Sequence, residues 1–380
     1  MLEFEISAAA GDARTGRLRT AHGAVATPAF MPVGTYGSVR GLTPVQLLEA
    51  GTEIVLSNTY HLALRPGAET ISKLGGLHRF MGWDGPILTD SGGFQLFSLA
   101  SHVKVRDSGA VFRSHLDGAR FEMTPERAVE IQRLLGVDIG MAFDVLTGDP
   151  GDRHAAAPAA ARTAAWARRT RDAQRACRER DTGDTPTEFF AILQGGLFED
   201  LRRNNADAIG ELDFPGYAVG GLSVGEARPD TLATAELSVG LLPADRPRYM
   251  MGMGTPLDLV EMAGQGYDLF DCVMPTRNGR NGTLFTGDGT LSVRNAVHAD
   301  DDRPVDDDCE CYCCRSFSRA YLHHLAKRKE MLGPILGSLH NIHFYQRLMA
   351  DIRSAIRDDR YAAFRDGFVD RQGRPQETDA

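Results

Sequence analysis

Four of the six cysteines in this 380-residue chain, Cys309, Cys311, Cys313 and Cys314, fall within one six-residue stretch. Cys309-x-Cys311-x-x-Cys314 presents three sulfurs on one tight turn. Three sulfurs and one imidazole suit a closed tetrahedral zinc site, structural because four protein ligands leave the metal no open position. Spacing leaves the fourth ligand open. His323 and His324 are nearer in sequence than His340, but Phe317, Ala320, Tyr321, His324 and Leu325 recur at helical spacing, so His324 also reads as a core histidine. Cys313 could replace Cys314 in a C-x-C-x-C arrangement, but the x-x spacing is the commoner geometry, so Cys313 is treated as the spare thiol; Cys177 and Cys272 read as ordinary buried thiols. Met1-Leu2-Glu3-Phe4-Glu5 begins no long apolar run, so metal in a reducing, cytoplasmic setting is expected rather than disulfides.

A second set of residues could do chemistry. Asp271 lies in Phe270-Asp271-Cys272-Val273-Met274-Pro275-Thr276-Arg277. A carboxylate is already ionised at neutral pH and can attack an anomeric carbon. A second carboxyl must then protonate the departing group and deprotonate the incoming one. Asp90, in Thr89-Asp90-Ser91-Gly92-Gly93-Phe94-Gln95, is the candidate. The competing readings are a helix cap for Asp90 and a salt bridge to Arg277 or Arg280 for Asp271. The paired glycines let a flat ligand approach the backbone. Guanine offers N1–H and N2–H donors on one edge and O6 and N7 acceptors on the other. Asp144, Gln194 and the Gly221 N–H match that demand.

These residues need a scaffold. The chain is 42% hydrophobic and 24% charged, an ordinary globular composition. It contains no run long and apolar enough to span a bilayer. A formal charge of −9 argues against wholesale coating by nucleic acid. Local basic groups do border the proposed site: Arg277, Arg280 and Arg294, then Arg315, Arg319, Lys327, Arg328 and Lys329. They suit phosphate contact. The arginines between Arg162 and Arg180 read as a solvated helix face.

Eight short apolar runs end near Gly, Asp or Asn: 28–34, 53–58, 86–91, 138–144, 189–194, 216–221, 247–252 and 267–274. Amphipathic segments separate many of them: 124–135, 155–178, 199–209, 231–241 and 256–264. The repeated alternation predicts an α/β fold whose parallel strands close into a barrel, with a doubly wound open sheet as the alternative. Residues 1–277 form the barrel and its site in this reading. Residues 278–360 form a metal-binding subdomain with helices at 316–331 and 339–357, and 361–380 are a polar tail. The acidic stretches 300–302 and 306–308 read as solvated loops.

The blocks Thr89–Gln95, Ala142–Asp144, Gln194–Gly196, Ala218–Leu222 and Phe270–Arg277 together strongly resemble the tRNA-guanine transglycosylases. The cysteine turn, Leu339-His340-Asn341-Ile342, Asn58–Leu62 and Ser114–Gly118 extend the resemblance from about Phe4 to about Phe364. It implies a TIM barrel, (β/α)8, with a zinc subdomain, and exchange of guanine at wobble position 34 of tRNA (GUN anticodons) for a 7-deazaguanine base. By motif match, Asp271 is the nucleophile toward ribose C1′ and Asp90 the general acid/base. Asp144, Gln194 and Gly221 read the base beside Ser91, Leu222 meets its 7-substituent, and Met251 and Phe94 supply stacking faces. Arg277 and Arg280 contact the anticodon loop. Cys309, Cys311, Cys314 and His340 hold Zn2+.

The resemblance further implies a homodimer with no membrane association. Many bacterial relatives carry Tyr at Phe94 and Cys at Leu146, so this chain lacks a hydroxyl and has a bulkier side chain beside the 7-substituent. Val224 keeps the bacterial-type residue. The small aminomethyl base preQ1 is therefore the expected incoming substrate. Queuine is the alternative, as is a non-catalytic tRNA-binding paralogue.

Overall fold

In the computed structural model, which describes residues 2–94, 103–114, 118–180 and 186–372, eight short parallel strands form one sheet. They are β1 (Ala29–Pro32), β2 (Val55–Ser57), β3 (Ile87–Thr89), β4 (Ile139–Met141), β5 (Glu188–Leu193), β6 (Tyr217–Val219), β7 (Arg248–Met250) and β8 (Leu269–Cys272). Neighbours follow chain order, and β8 pairs with β1 in parallel, Leu269 opposite Ala29 and Phe270 opposite Phe30. A bridge between Val33 and Leu56, with the Gly34 N–H donating to the Leu56 carbonyl at 2.6 Å, joins β1 to β2 and closes the barrel. Each of the eight expected runs overlaps a barrel strand.

Alternation along the strands sorts the core into two shells. Met31, Leu56, Leu88, Ile139, Met141, Phe190, Ile192, Ala218, Tyr249 and Leu269 form one buried cluster inside the barrel. Phe30, Val55, Ile87, Phe189, Ala191, Val219, Met250 and Phe270 belong to a second cluster that includes helix residues. The strands are hydrophobic throughout because both faces are buried.

The end where the strands begin is plugged. An antiparallel sheet of Glu3–Ala10, Ala13–Thr20 and Gly23–Thr27 contributes Leu18 and Val25 to the interior cluster. Arg14 and Asp268 pair in buried surroundings, with Nε to Oδ1 at 3.0 Å. Asp138, just before β4, accepts from the Ile87 N–H at 2.9 Å and meets His22 Nδ1 at 2.9 Å and His78 Nε2 at 3.2 Å. These charges staple the floor of the barrel.

Between β3 and β4 lies a second antiparallel sheet, Val103–Arg106, Gly109–Arg113 and Arg120–Met123. Thr124 caps the helix Pro125–Leu135, its hydroxyl accepting from the Arg127 N–H at 3.2 Å, with Pro in the first turn as expected. The long helix Arg153–Arg180 carries the arginine run, but that face is more than solvated. Arg162, Arg168, Arg169 and Arg178 bridge to Asp107, Glu211, Glu126 and Glu188.

The subdomain differs from its expected boundaries. The segment 316–331 splits into Tyr312–Ser316 and Arg319–Arg328, the latter stopped by Lys329 at φ 58°. The next helix begins at Leu332, seven residues before 339, because Gly333 and Pro334 fall in its first turn, where Pro is tolerated. His324 is exposed and not a core residue; Leu322 and Leu325 form the buried face of its helix. The acidic loops are tied rather than free: Asp301 bridges Arg303 and Arg319, and Asp306 bridges Arg347. Residues 361–372 form a helix, not a tail, because Tyr361 and Phe368 are buried and anchor it. Gln95, 115–117 and 373–380 lie outside the described residues.

Candidate active site and metal centre

The ends of the barrel strands bring the expected carboxylates together. Asp271, near the end of β8, is half-buried. Its Oδ1 accepts from the Tyr249 hydroxyl at 2.6 Å and from the Gly252 N–H at 2.8 Å. No hydrogen bond engages Oδ2 among the described residues, and no salt bridge joins Asp271 to Arg277 or Arg280. Burial raises the Asp271 carboxyl above its ordinary value, and the two hydrogen bonds pull against that rise. Asp90, just after β3, is buried; Oδ2 accepts from Asn58 Nδ2 at 2.5 Å and Oδ1 from the Thr59 N–H at 2.7 Å. Its carboxylate thus satisfies the first N–H of the helix Thr59–Leu64, whose N-cap residue is Asn58. Tyr249 bonds Asp271 and feels the charge of Asp90: burial first, then the charge and hydrogen bond of Asp271 and the charge of Asp90, holds its phenol well above the ordinary value.

A second group lies just beyond the ends of β3, β4, β5 and β6. The buried Asp144 accepts from the Ser91 hydroxyl at 2.7 Å on Oδ1 and from Gln194 Nε2 at 2.8 Å on Oδ2. Burial raises its carboxyl too, opposed by those two donors. A Cβ on Gly93 would collide with Asp144, so only glycine permits that approach. Gly221, at φ +73°, lies so close to the Gln194 side chain that a Cβ would sit 2.5 Å from Oε1, and 3.8 Å from Leu146 Cδ1. Leu222 is buried, Met251 packs partly buried against the interior cluster, and Phe94 is 54% exposed. Beyond Leu222, Glu226 gathers the Ser223 and Val224 N–H groups and the Thr231 hydroxyl, fixing the loop.

Arg277 is exposed on the helix Met274–Arg280, whereas Arg280 is half-buried, with Nε donating to the Thr276 carbonyl at 3.0 Å. Burial, then the charges of Arg40 and Arg277, lowers the Arg280 guanidinium from its ordinary value. Arg40 thus joins this cationic rim. Sequence reasoning missed Arg40, Tyr249, Glu226 and the buried Arg202. Only Tyr249 had a signal: it is two residues from Met251 in an apolar run and so shares its side of the strand.

The metal residues converge. Cys309, Cys311, Cys314 and His340 are buried, with their ligand atoms all within 4.8 Å of one another. His340 Nδ1 lies 3.7, 3.6 and 3.3 Å from the three sulfurs. Its Nε2 lies 2.7 Å from the Phe285 carbonyl, a bond that leaves Nδ1 as the ligand atom. This donor set fits a closed tetrahedral site. Cys313 is buried but outside the group, as expected of the spare. Cys177 and Cys272 are half-buried rather than buried, because each sits near a surface.

Comparison with known proteins decides the family. The family described as Queuine tRNA-ribosyltransferase matches residues 9–374. The chain belongs to this family of transferases. Among its relatives, the queuine tRNA-ribosyltransferase of Azoarcus sp. is 50% identical, covering 96% of each chain. That of Desulfosudis oleivorans is 51% identical, over 97% of this chain and 95% of the relative. That of Pseudomonas aeruginosa is 49% identical over 98% of both. The queuine tRNA-ribosyltransferase family assignment thus spans barrel and metal subdomain alike. No helix among the described residues is long and apolar enough to cross a membrane.

Proposed function

We propose that this chain exchanges guanine at wobble position 34 of tRNA for the 7-deazaguanine preQ1, by double displacement. The observation that carries the reading is the asymmetry of Asp271. Its Oδ1 is held by Tyr249 and Gly252, and Oδ2 is left for a sugar carbon. Oδ2 attacks C1′, the C1′–N9 bond breaks, and its electron pair leaves with guanine, which takes a proton from Asp90. PreQ1 then gives its N9 proton to Asp90 and attacks C1′, releasing Asp271. Two inversions retain configuration.

The base-reading group supports a purine. Asp144 accepts from N1–H and N2–H, and Gln194 and the Gly221 N–H donate to the other edge. Ser91 holds Asp144, and Leu222, Met251 and Phe94 border the base. Leu146 beside Gly221 narrows the space for a 7-substituent, which favours preQ1 over the bulkier queuine. Arg277, Arg280 and Arg40 suit the anticodon backbone.

Zn2+, one per chain, is held by Cys309, Cys311, Cys314 and His340 and stabilises the subdomain when bound. Reduced thiols fit a cytoplasmic setting. Exposed Tyr312, Tyr321, Met331 and Leu332 on the subdomain support a homodimer contact.

The test is exchange of labelled guanine in an unmodified tRNA with G34, with preQ1 and queuine compared side by side. Exchange, preferential preQ1 incorporation and a denaturation-resistant RNA adduct mapping to Asp271 are expected. An isolated protein that binds tRNA without exchange would be the non-catalytic paralogue, and an adduct on another side chain would overturn the mechanism.

A further inference from the structure

Arg202 is a fully buried charge that the exchange scheme leaves unused. It sits on the helix Glu199–Gly210, with no salt bridge among the described residues. Its Nε–H donates to the Gly196 carbonyl at 2.7 Å and Nη2 to the Gly220 carbonyl at 3.2 Å, while Nη1 has no partner. Burial lowers the guanidinium to about 10, eased by the charges of Tyr267 and Glu226. Burying a cation without a direct counter-charge is costly, so the position calls for a role.

The two carbonyls identify that role. They lie on the loops after β5 and β6, which carry Gln194 and Gly221. Gly195 lets the helix come close, since a Cβ there would stand 2.7 Å from the Arg202 backbone nitrogen. The peptide joining Gly220 to Gly221 is planar and trans, so its C=O and N–H point in opposite directions. With the oxygen held toward the helix, the N–H is turned away from it, toward the proposed base pocket. That N–H has no acceptor among the described residues.

We propose that Arg202 is a positioning residue for departure of the base: it fixes and polarises the Gly220–Gly221 peptide so that the Gly221 N–H meets purine O6. The inference rests on the exchange reading. As the C1′–N9 bond breaks, its electron pair spreads over the purine and charge grows on O6. A guanidinium pulling on the carbonyl makes the N–H of the same peptide a stronger donor to that charge. Arg202 gains and loses no proton; the purine is neutralised by the proton from Asp90. The bond to Gly196 keeps the Gln194 ledge in register with the Gly221 ledge.

The experiment compares wild type, Arg202→Gln and Arg202→Lys, using guanine and 2-aminopurine, which lacks the 6-oxygen. Wild type that binds guanine but exchanges none would sink the exchange reading and leave Arg202 to be judged on binding. For Arg202→Gln the expected losses are about tenfold in guanine affinity and about 100-fold in exchange kcat, with tRNA KM and 2-aminopurine affinity unchanged. Arg202→Lys, keeping the cation and one bond, should lose about tenfold in kcat. Equal weakening of both bases, or of neither, would overturn the proposal. So would failure of both variants to reach wild-type melting, which would make Arg202 part of the scaffold.

Discussion

The Tyr249 phenol and the Asp271 carboxylate, on adjacent strands, are joined by a 2.6 Å hydrogen bond to one carboxylate oxygen only. Tyr249→Phe removes that donor and leaves the ring in place. A hydrogen bond to a charged group is worth about 1.5–3 kcal/mol, so kcat for guanine exchange should fall roughly 10- to 100-fold with tRNA affinity kept. Asp271→Asn should abolish exchange and the covalent adduct. Full turnover by the asparagine variant would remove Asp271 from the chemistry.

The pH profile has a definite sign. Burial raises Asp271 and Asp144 above ordinary carboxylates, so both take up protons earlier as pH falls. The acid limb of exchange should therefore lie above the ordinary carboxylate range. In Tyr249→Phe it should move further up, since a donor favouring the charged form is gone. An acid limb at or below the ordinary value in wild type would contradict this placement.

Asp138 makes an opposite prediction, about stability. Burial pushes its carboxyl up, but hydrogen bonds from His78, the Ile87 N–H and His22 outweigh it, leaving a value of about 2 against an ordinary 3.8. The lowered value contributes roughly 2 kcal/mol, present above the unfolded value and lost as pH falls toward the folded one. Urea melts should show wild type more stable than Asp138→Asn near neutrality, with the gap shrinking as acid is added. A gap that stays constant would mean the carboxylate charge contributes nothing.

Leu146 sets a size test. Trimming a pocket side chain changes discrimination by about 10- to 200-fold per methylene-scale difference. Leu146→Ala should narrow the preQ1-to-queuine ratio about tenfold or more. An unchanged ratio would place the 7-substituent elsewhere.

Metal removal tests the cysteine turn. Elemental analysis should give one zinc per chain, and His340→Ala or strong chelation should lower Tm and release the metal. Asp271→Asn should keep its zinc. Chelation that stopped exchange while Tm and subdomain structure stayed unchanged would argue for a metal with an open coordination position.

Barrel strands and the candidate site residues were legible for the same reason. A strand buried on both faces is an unbroken apolar run, and its polar terminator marks the mouth. Asp90, Asp144, Gln194 and Asp271 all stood at such terminators. Arg202 was harder, because a buried guanidinium looks in sequence like any surface arginine until its partner is known. His324 misled for a related reason: helical spacing predicts a stripe but not which stripe faces inward. The helix from Leu332 began early because Pro334 was compatible with its first turn.

Gly279 and Gly337 bring two helices into backbone contact: a Cβ on Gly279 would be 2.5 Å from the Gly337 carbonyl carbon. The first helix carries Arg277 and Arg280; the second carries His340 one turn onward and Asn341, whose amide bonds the Pro275 carbonyl at 2.9 Å and the Phe285 N–H at 2.9 Å. The helix that carries Arg277 and Arg280 and the helix that carries His340 therefore move as one rigid lever. Even an alanine at either glycine should act as a wedge, tilting Arg277 and Arg280 away from the barrel mouth while the barrel itself stays intact.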